Sequence, residues 1–267
     1  MPNKGLKLAG LIGASWLLSL LVCLGFPVQQ AHLPVVIALV LLRSFLHTGL
    51  FIVAHDAIHQ SLAPKALALN RRIGRWCLTA YAGLSYTTCS RNHHLHHQNP
   101  ASETDPDYCQ TGDQSILGWY VHFLGHYIGV QQIVRLAAIW SVLFFVTLRV
   151  QEHAARAIIL FAVLPLIISS WQLFLIGTCL PHKKRLNAHN TSNQPKSLHL
   201  PVVLSFAACY HFGYHREHHD FPTTPWYQLP ELHAARRQYP QKVTKPDRKP
   251  PSPPLPCRHL TGPKTNY

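Results

Sequence analysis

Long apolar stretches recur along the chain and alternate with polar, histidine-rich segments. Four of the stretches are long enough to cross about 30 Å of hydrocarbon at about 1.5 Å of helix per residue. They span Leu8–Phe26, Ala31–Ile58, Gln131–Val150 and Ala157–Leu180. Only the short connections 27–30 and 151–156 separate the members of each pair. The pattern therefore predicts an all-α integral membrane protein whose four transmembrane helices form two hairpins.

The second stretch is longer than a membrane requires. A helix over Ala31–Ile58 would measure about 42 Å, which exceeds the hydrocarbon core. We therefore expect its last two turns, with His55, Asp56 and His59, to project beyond the membrane. Arg43 and His47 lie deeper in the same helix, and we interpret them as a buried pair whose polar groups bind neighbouring carbonyls.

Basic residues accumulate on one side of the predicted helices. The chain carries 24 Lys and Arg against 10 Asp and Glu, a formal net charge of +14. Because lysines and arginines precede the first stretch and follow the second and the fourth, the positive-inside rule predicts that both termini and the histidine-rich segments face the cytosol. The basic residues do not interleave with aromatic residues along one stripe, which argues against a nucleic-acid partner.

Cysteine spacing and the C-terminal composition set two further limits. The seven cysteines form no C-x-x-C pair, which argues against a disulfide framework or a zinc ribbon. From Gln238 onward the chain is rich in proline and lysine and cannot bury a core. We therefore predict one membrane domain, 1–237, followed by a disordered tail, 238–267.

Three histidine clusters carry the candidate chemistry. The first pairs His55 with His59, and the segments 93–97 and 215–219 each contain the pattern H-x-x-H-H. In a helix, residues at i, i+3 and i+4 share one face, so three imidazoles converge. An isolated H-x-x-x-H is commonly a hydrogen-bonded core pair. Eight clustered donors exceed what one ion can coordinate, however, and indicate two metal ions.

The metal follows in part from the ligand type. Neutral imidazole suits Zn, Cu, Fe and Ni, and a structural zinc site closes with four ligands that usually include cysteine. A dinuclear site beside a membrane, open to an apolar substrate and to O₂, favours iron, while ligand type alone leaves the other metals open. The predicted fold is thus a four-helix membrane protein with a cytosolic helical cap that holds a histidine-rich di-iron site.

Longer motifs around the clusters resemble a known family. The clusters themselves are similar to the histidine boxes of membrane desaturases and hydroxylases, and the region from Ala31 to Arg237 resembles the bacterial and cyanobacterial β-carotene ketolases. The most specific motif is H-F-G-Y-H-x-E-H-H, which begins at His211. The matching segments are Thr48–Asp56, Asn70–Gly74, His93–Pro100, Asp105–Tyr108, Leu180–Lys184, Tyr210–His219 and Pro225–Pro230.

The resemblance implies a ligand set. By position it assigns eight iron ligands, which are His55, His59, His93, His96, His97, His215, His218 and His219. A ninth is expected near the cytosolic end of the fourth helix, where His182 stands and His189 is the rival. His94 occupies a position where family members often have tryptophan and receives no iron, and the role of His211 stays unassigned.

The resemblance also implies an activity. The expected reaction is O₂-dependent oxidation of C4 of a β-ionone ring to a ketone, which takes β-carotene through echinenone to canthaxanthin and could take zeaxanthin toward astaxanthin. The expected setting is a bacterial inner membrane or a thylakoid membrane, with membrane lipid around the helices. No nucleotide-binding fingerprint is visible, so electrons are expected from ferredoxin or a similar partner that docks on the basic cytosolic face.

Four carboxylates lie in or just beyond the boxes, and other activities remain open. Asp56, Asp105, Asp107 and Glu217 are predicted to accept the second ring N–H of the ligand histidines and so to orient them; for Asp105 and Asp107, turn formation around Pro106 is the alternative. A carotenoid hydroxylase or an acyl-lipid desaturase would carry the same boxes. A non-enzymatic metal transporter or store is a further alternative, and it predicts ligands along a membrane path.

Overall fold

The computed structural model describes residues 4–109, 115–183 and 194–239 of the chain. All regular structure within these ranges is helical. Besides two three-residue 3-10 helices, Val28–Gln30 and Trp226–Gln228, the ten helices described there are α1 (Lys4–Leu24), α2 (Leu33–Ile58), α3 (Leu67–Ala82), α4 (Tyr86–Gln98), α5 (Ile116–Gly125), α6 (Val130–Thr147), α7 (Ala154–His182), α8 (Val202–Cys209), α9 (His215–Asp220) and α10 (Leu229–Gln238). The predicted tail lies outside the described residues from 240 onward.

Within the described ranges, four helices are long and apolar enough to cross a membrane, as predicted. They are α1, α2, α6 and α7. Their bounds differ from the predicted ones by a few residues, and α7 extends at both ends, to Ala154 and His182. The chain is therefore an all-α membrane protein, while the side of the membrane that the connecting helices face stays a prediction.

Arg43 connects three of the membrane-spanning helices through hydrogen bonds. It is 1% exposed, and its Nη1 donates to the carbonyl of Trp16 in α1 at 2.8 Å. Its Nε donates to the carbonyl of Phe161 in α7 at 3.1 Å. Because Pro165 has no N–H, that carbonyl lacks its usual i+4 helical partner, and Arg43 replaces it. The predicted pairing of this buried cation with carbonyl groups is confirmed.

His47, one turn further along α2, is also satisfied inside the bundle. Its Nδ1 accepts from the indole Nε1 of Trp16 at 3.0 Å, so its Nε2 carries the hydrogen and donates to the carbonyl of Tyr81 at 2.9 Å. These bonds link α1, α2 and α3 through neutral groups.

Helix α7 contains two π-helical segments, Ile159–Val163 and Phe174–Cys179. π-Turns widen a helix locally and are frequent near functional sites. In the second segment, a Cβ at Gly177 would stand 2.7 Å from the ring of Phe212, so the absence of a side chain allows this aromatic ring to pack against α7. This packing brings the end of α7 beside α9.

A tight reversal connects α8 to α9. Tyr210 and His211 both have left-handed backbone angles, with φ of 47° and 63°. The amide of His211 donates to the carbonyl of Ser205 at 3.0 Å and caps α8. Left-handed geometry costs a non-glycine residue about 1–2 kcal/mol, so the surrounding packing must hold the turn in place. As a result, α9 points its histidines toward α2 and α4.

Candidate metal centre

The nine predicted histidine ligands lie in two adjacent groups. In each group the nearest ring nitrogens all lie within 4.8 Å of one another. The five-histidine group contains His55, His59, His93, His97 and His218. The four-histidine group contains His96, His182, His215 and His219.

Both H-x-x-H-H boxes divide between the two groups. His93 and His97, one turn apart on α4, face the five-histidine group, whereas His96 faces the four-histidine group. In α9 the assignment is reversed, because His215 and His219 face the four-histidine group and His218 the other. The rings of His97 and His219 stack at 4.1 Å between centroids, so the two groups are immediate neighbours.

The nitrogen spacing in the five-histidine group suits a shared cation. Nε2 of His97 lies 3.1 Å from Nε2 of His93 and 2.9 Å from Nε2 of His218. An imidazole nitrogen carries either one hydrogen or one lone pair. Nε2 of His97 can therefore form a good hydrogen bond with only one of these two nitrogens. Ligands about 90° apart on a metal at about 2.1 Å would be about 3.0 Å from each other. A metal ion between the lone pairs would therefore satisfy all of the nitrogens.

The four-histidine group has the same spacing. Nε2 of His219 lies 3.0 Å from Nε2 of His215 and 3.1 Å from Nε2 of His96. Nε2 of His182 lies 3.0 Å from Nε2 of His215. His182, placed at the end of α7, thus completes a second set of converging donors.

Helix ends add favourable electrostatics. The last turns of four helices contain His55 in α2, His96 and His97 in α4, His182 in α7, and His218 and His219 in α9. A helix C-terminus carries partial negative charge from its unpaired carbonyls and stabilises a nearby cation. Convergence of four such ends favours positive charge at the two groups.

Asp105 orients one of the histidines directly. Its two carboxylate oxygens lie 2.9 and 3.0 Å from Nδ1 of His96. The same oxygens accept from the backbone amides of Ala101 at 2.8 Å and Asp107 at 2.9 Å. Since Nδ1 donates to the carboxylate, the lone pair of His96 is on Nε2, which faces the four-histidine group.

The other three predicted carboxylates have different surroundings. Asp56 lies 3.8 Å from Nδ1 of His55, beyond hydrogen-bonding distance, and Asp107 lies 4.0 Å from Nδ1 of His96. Glu217 accepts a hydrogen bond from Ser197 and lies 3.4 Å from Arg236. These contacts join α9 to the segment before α8 and to α10. An orienting role for these three carboxylates stays a prediction, and among the four only Asp105 has the hydrogen-bond geometry for it in the described part of the chain.

Burial keeps most of these imidazoles neutral. Burial, together with the charge of His94 and His96, lowers the pKa of His59 to about 3. Burial and neighbouring histidines also hold the pKa well below its usual range for His93, His97, His215, His218 and His219. For His96 burial lowers the pKa, but the hydrogen bond to Asp105 and the charge of Asp107 outweigh it and raise the pKa. Neutral rings are the form that binds metal.

Two nearby histidines lie outside both groups. His94 is exposed on α4, and its Nδ1 lies 2.6 Å from the carbonyl of Ser90. His211 is buried in the reversal before α9, with its ring near those of Tyr214 and Trp226. The rival ligand His189 lies outside the described residues.

Comparison with known proteins identifies the family of the chain. A family model described as fatty acid desaturase matches residues 30–136 and 132–249. The chain belongs to the fatty acid desaturase family. A β-carotene ketolase of Paracoccus sp. (strain N81106 / MBIC 01143) is 35% identical over 231 residues, which cover 86% of this chain and 92% of that relative.

Two further relatives of this desaturase-family chain are longer proteins. A β-carotene ketolase of Haematococcus lacustris is 35% identical over 199 residues, 72% of this chain and 60% of its own length. A zeaxanthin 4-ketolase of Chlamydomonas reinhardtii is 31% identical over 198 residues, 72% of this chain and 43% of its own length. Family membership and these relatives indicate an oxidoreductase.

An apolar cavity of this desaturase-family chain reaches the histidines. Its narrow inner end is lined by four of them, His55, His93, His96 and His215. It adjoins a wider cavity of about 240 Å³ between α2, α3, α5, α6 and α7. The side chains that line both are Phe51, Phe123, Tyr127 and Leu173. The inner cavity, of about 40 Å³, thus lies between the wider apolar cavity and the histidines.

Proposed function

We propose that this chain is a carotenoid 4-ketolase that oxidises C4 of a β-ionone ring to a ketone. The observation that carries the proposal is the apolar cavity that ends on two groups of converging histidines. The similarity to β-carotene and zeaxanthin 4-ketolases supplies the substrate class. β-Carotene is the first substrate we propose, and zeaxanthin the second.

The two histidine groups would hold one iron ion each. The five-histidine group offers His55, His59, His93, His97 and His218, and the four-histidine group offers His96, His182, His215 and His219. When bound, two irons supply the chemistry that activates O₂ for insertion into a C–H bond. The fit rests on all-nitrogen donors near 3 Å spacing, on burial that keeps most of the rings neutral, and on the converging helix ends.

The overall reaction balances as two oxygenations. In the first, the C4 methylene, O₂, two electrons and two protons give the C4 alcohol and water. In the second, the C4 alcohol, another O₂, two electrons and two protons give a geminal diol and water, and the diol then loses a further water to form the ketone. β-Carotene would yield echinenone after one ring and canthaxanthin after both.

The residues around the cavity would position the substrate and exclude water. Phe51 and Leu173 line both cavities, and Phe212 packs beside His55 with 4.6 Å between ring centroids. These three apolar side chains suit contact with a hydrocarbon ring. Asp105 would keep His96 in the tautomer that presents Nε2 to the metal.

The electrons would come from a separate protein. The sequence has no nicotinamide or flavin fingerprint, and the connecting segments that follow α2 are basic. A ferredoxin or similar acidic donor would dock there by charge complementarity. In this proposal the metal centre faces the cytoplasmic side of the membrane.

A pigment assay in a β-carotene-producing bacterium tests the function. Expression of the chain is expected to convert β-carotene to echinenone and canthaxanthin. His93→Ala should abolish conversion because it removes a donor, whereas His94→Ala, the exposed neighbour on the same helix, should retain it. Unchanged β-carotene with altered fatty acids would instead indicate an acyl-lipid desaturase, and hydroxylated products without ketones a hydroxylase.

A further inference from the structure

The cavity beside the histidines contains a polar pair within an otherwise largely apolar wall. Apart from four histidines, most of its described lining is hydrophobic, and it includes Phe51, Ile58, Leu78 and Phe212. Asp107 and Tyr127 also line this cavity, and Tyr127 lines the wider one as well. A carboxylate at this position needs an explanation, because burying a charge in apolar surroundings is costly.

The pair is held firmly. The hydroxyl of Tyr127 donates to Oδ1 of Asp107 at 2.5 Å. The backbone of Asp107 is fixed on both sides, since its amide donates to Asp105 at 2.9 Å and its carbonyl accepts from Nε1 of Trp119 at 2.9 Å. Asp107 is 5% exposed. Its carboxylate is therefore preorganised at the cavity wall.

Orienting His96 does not account for Asp107. Asp105 already occupies Nδ1 of His96 with both oxygens, and Asp107 stays 4.0 Å away. Among the described residues, no hydrogen bond reaches Oδ2 of Asp107. This oxygen retains acceptor capacity beside the place where the substrate ring would lie.

We propose that Asp107, positioned by Tyr127, accepts a hydrogen bond from a hydroxyl group on the carotenoid ring. The inference rests on the proposed function and deepens it. An unsubstituted ring has no donor for this carboxylate, whereas a ring with a hydroxyl at C3 or C4 does. The C4 hydroxyl arises from the first oxygenation, and the C3 hydroxyl belongs to substrates such as zeaxanthin.

The contact would hold a half-oxidised ring in place for the second oxygenation. A hydrogen bond to a charged acceptor slows release of its donor by about ten- to a hundredfold. Without it, the 4-hydroxy compound would leave before the ketone forms. The same contact would favour zeaxanthin over β-carotene.

The test compares pigment ratios for the wild type, Asp107→Asn and Tyr127→Phe. In a β-carotene-producing host, Asp107→Asn is expected to raise the ratio of 4-hydroxy to 4-keto products about tenfold or more, and Tyr127→Phe to raise it less. In a second host that makes both carotenoids, conversion of zeaxanthin relative to β-carotene should fall. Glu103→Gln, an exposed carboxylate in the same loop, is the matched control.

Iron content, measured for each variant, separates this role from a structural one. Asp105→Asn, which we expect to weaken metal binding, should lower all products together and leave the ratio unchanged. A change in the β-carotene host alone assigns the contact to the C4 hydroxyl, and a change for zeaxanthin alone assigns it to the C3 hydroxyl; both uphold the acceptor role. If Asp107→Asn makes no product, Tyr127→Phe decides. Unchanged ratios in both hosts would overturn the inference, whereas a wild type without keto products would overturn the proposed function itself.

Discussion

Asp105→Asn is the substitution that best separates the metal centre from its surroundings. The carboxylate uses both oxygens, one toward the amide of Ala101 and one toward the amide of Asp107, and both also face Nδ1 of His96. Asparagine has the same shape, but its amide NH₂ replaces one of the two oxygens. This donor group would then face an N–H group, which is also a donor. One donor loses its acceptor, which costs about 1–3 kcal/mol.

The loss should be transmitted to the four-histidine group. Removing a partner that orients a ligand histidine weakens metal binding by about 10- to 100-fold, or about 1.4 to 2.7 kcal/mol. Purified wild type and Asp105→Asn would be challenged with increasing chelator, and iron retained per chain measured. We expect the variant to lose half of its iron at a chelator concentration at least tenfold lower than the wild type requires. Glu103→Gln should behave like the wild type. Equal retention in the variant and the wild type would refute the proposed role of Asp105.

Two further substitutions test the packing of the membrane helices. Arg43→Leu should lower the free energy of unfolding in detergent by about 1–3 kcal/mol, because the carbonyl of Phe161 loses its replacement partner; an unchanged midpoint would contradict this role. Gly49→Ala should destabilise by a similar amount through overpacking, since its Cβ would stand 2.6 Å from the hydroxyl of Tyr210, whereas Gly10→Ala, with nothing within 4 Å, should not lower the melting temperature.

Much of the fold followed from hydrophobic length. The four spans were predictable because a membrane requires a long apolar run, and the one-turn spacing of the histidines placed them on common helix faces. The two π-helical segments of α7 and the left-handed pair Tyr210 and His211 were not predictable from composition. Neither residue of that pair is a glycine, so the turn depends on tertiary packing rather than on local preference.

The candidate site shows the same division. Local spacing identifies the clustered donors. However, His96 and His218 each belong to a different metal-binding group from the other histidines of their own box, and this division depends on how α4 and α9 meet. Asp105 and Asp107 have equivalent positions in the D-P-D sequence. Only the folded loop distinguishes the one that orients His96 from the one that lines the cavity.

The metal content of the purified chain tests the central claim most directly. If the five-histidine and four-histidine groups each hold an iron ion, elemental analysis of protein extracted from iron-replete cells should approach two irons per chain. His218→Ala and His219→Ala, which each remove a donor from a different group, should both retain less iron than His94→Ala. A single zinc per chain, or iron retention unaffected by either substitution, would contradict the account.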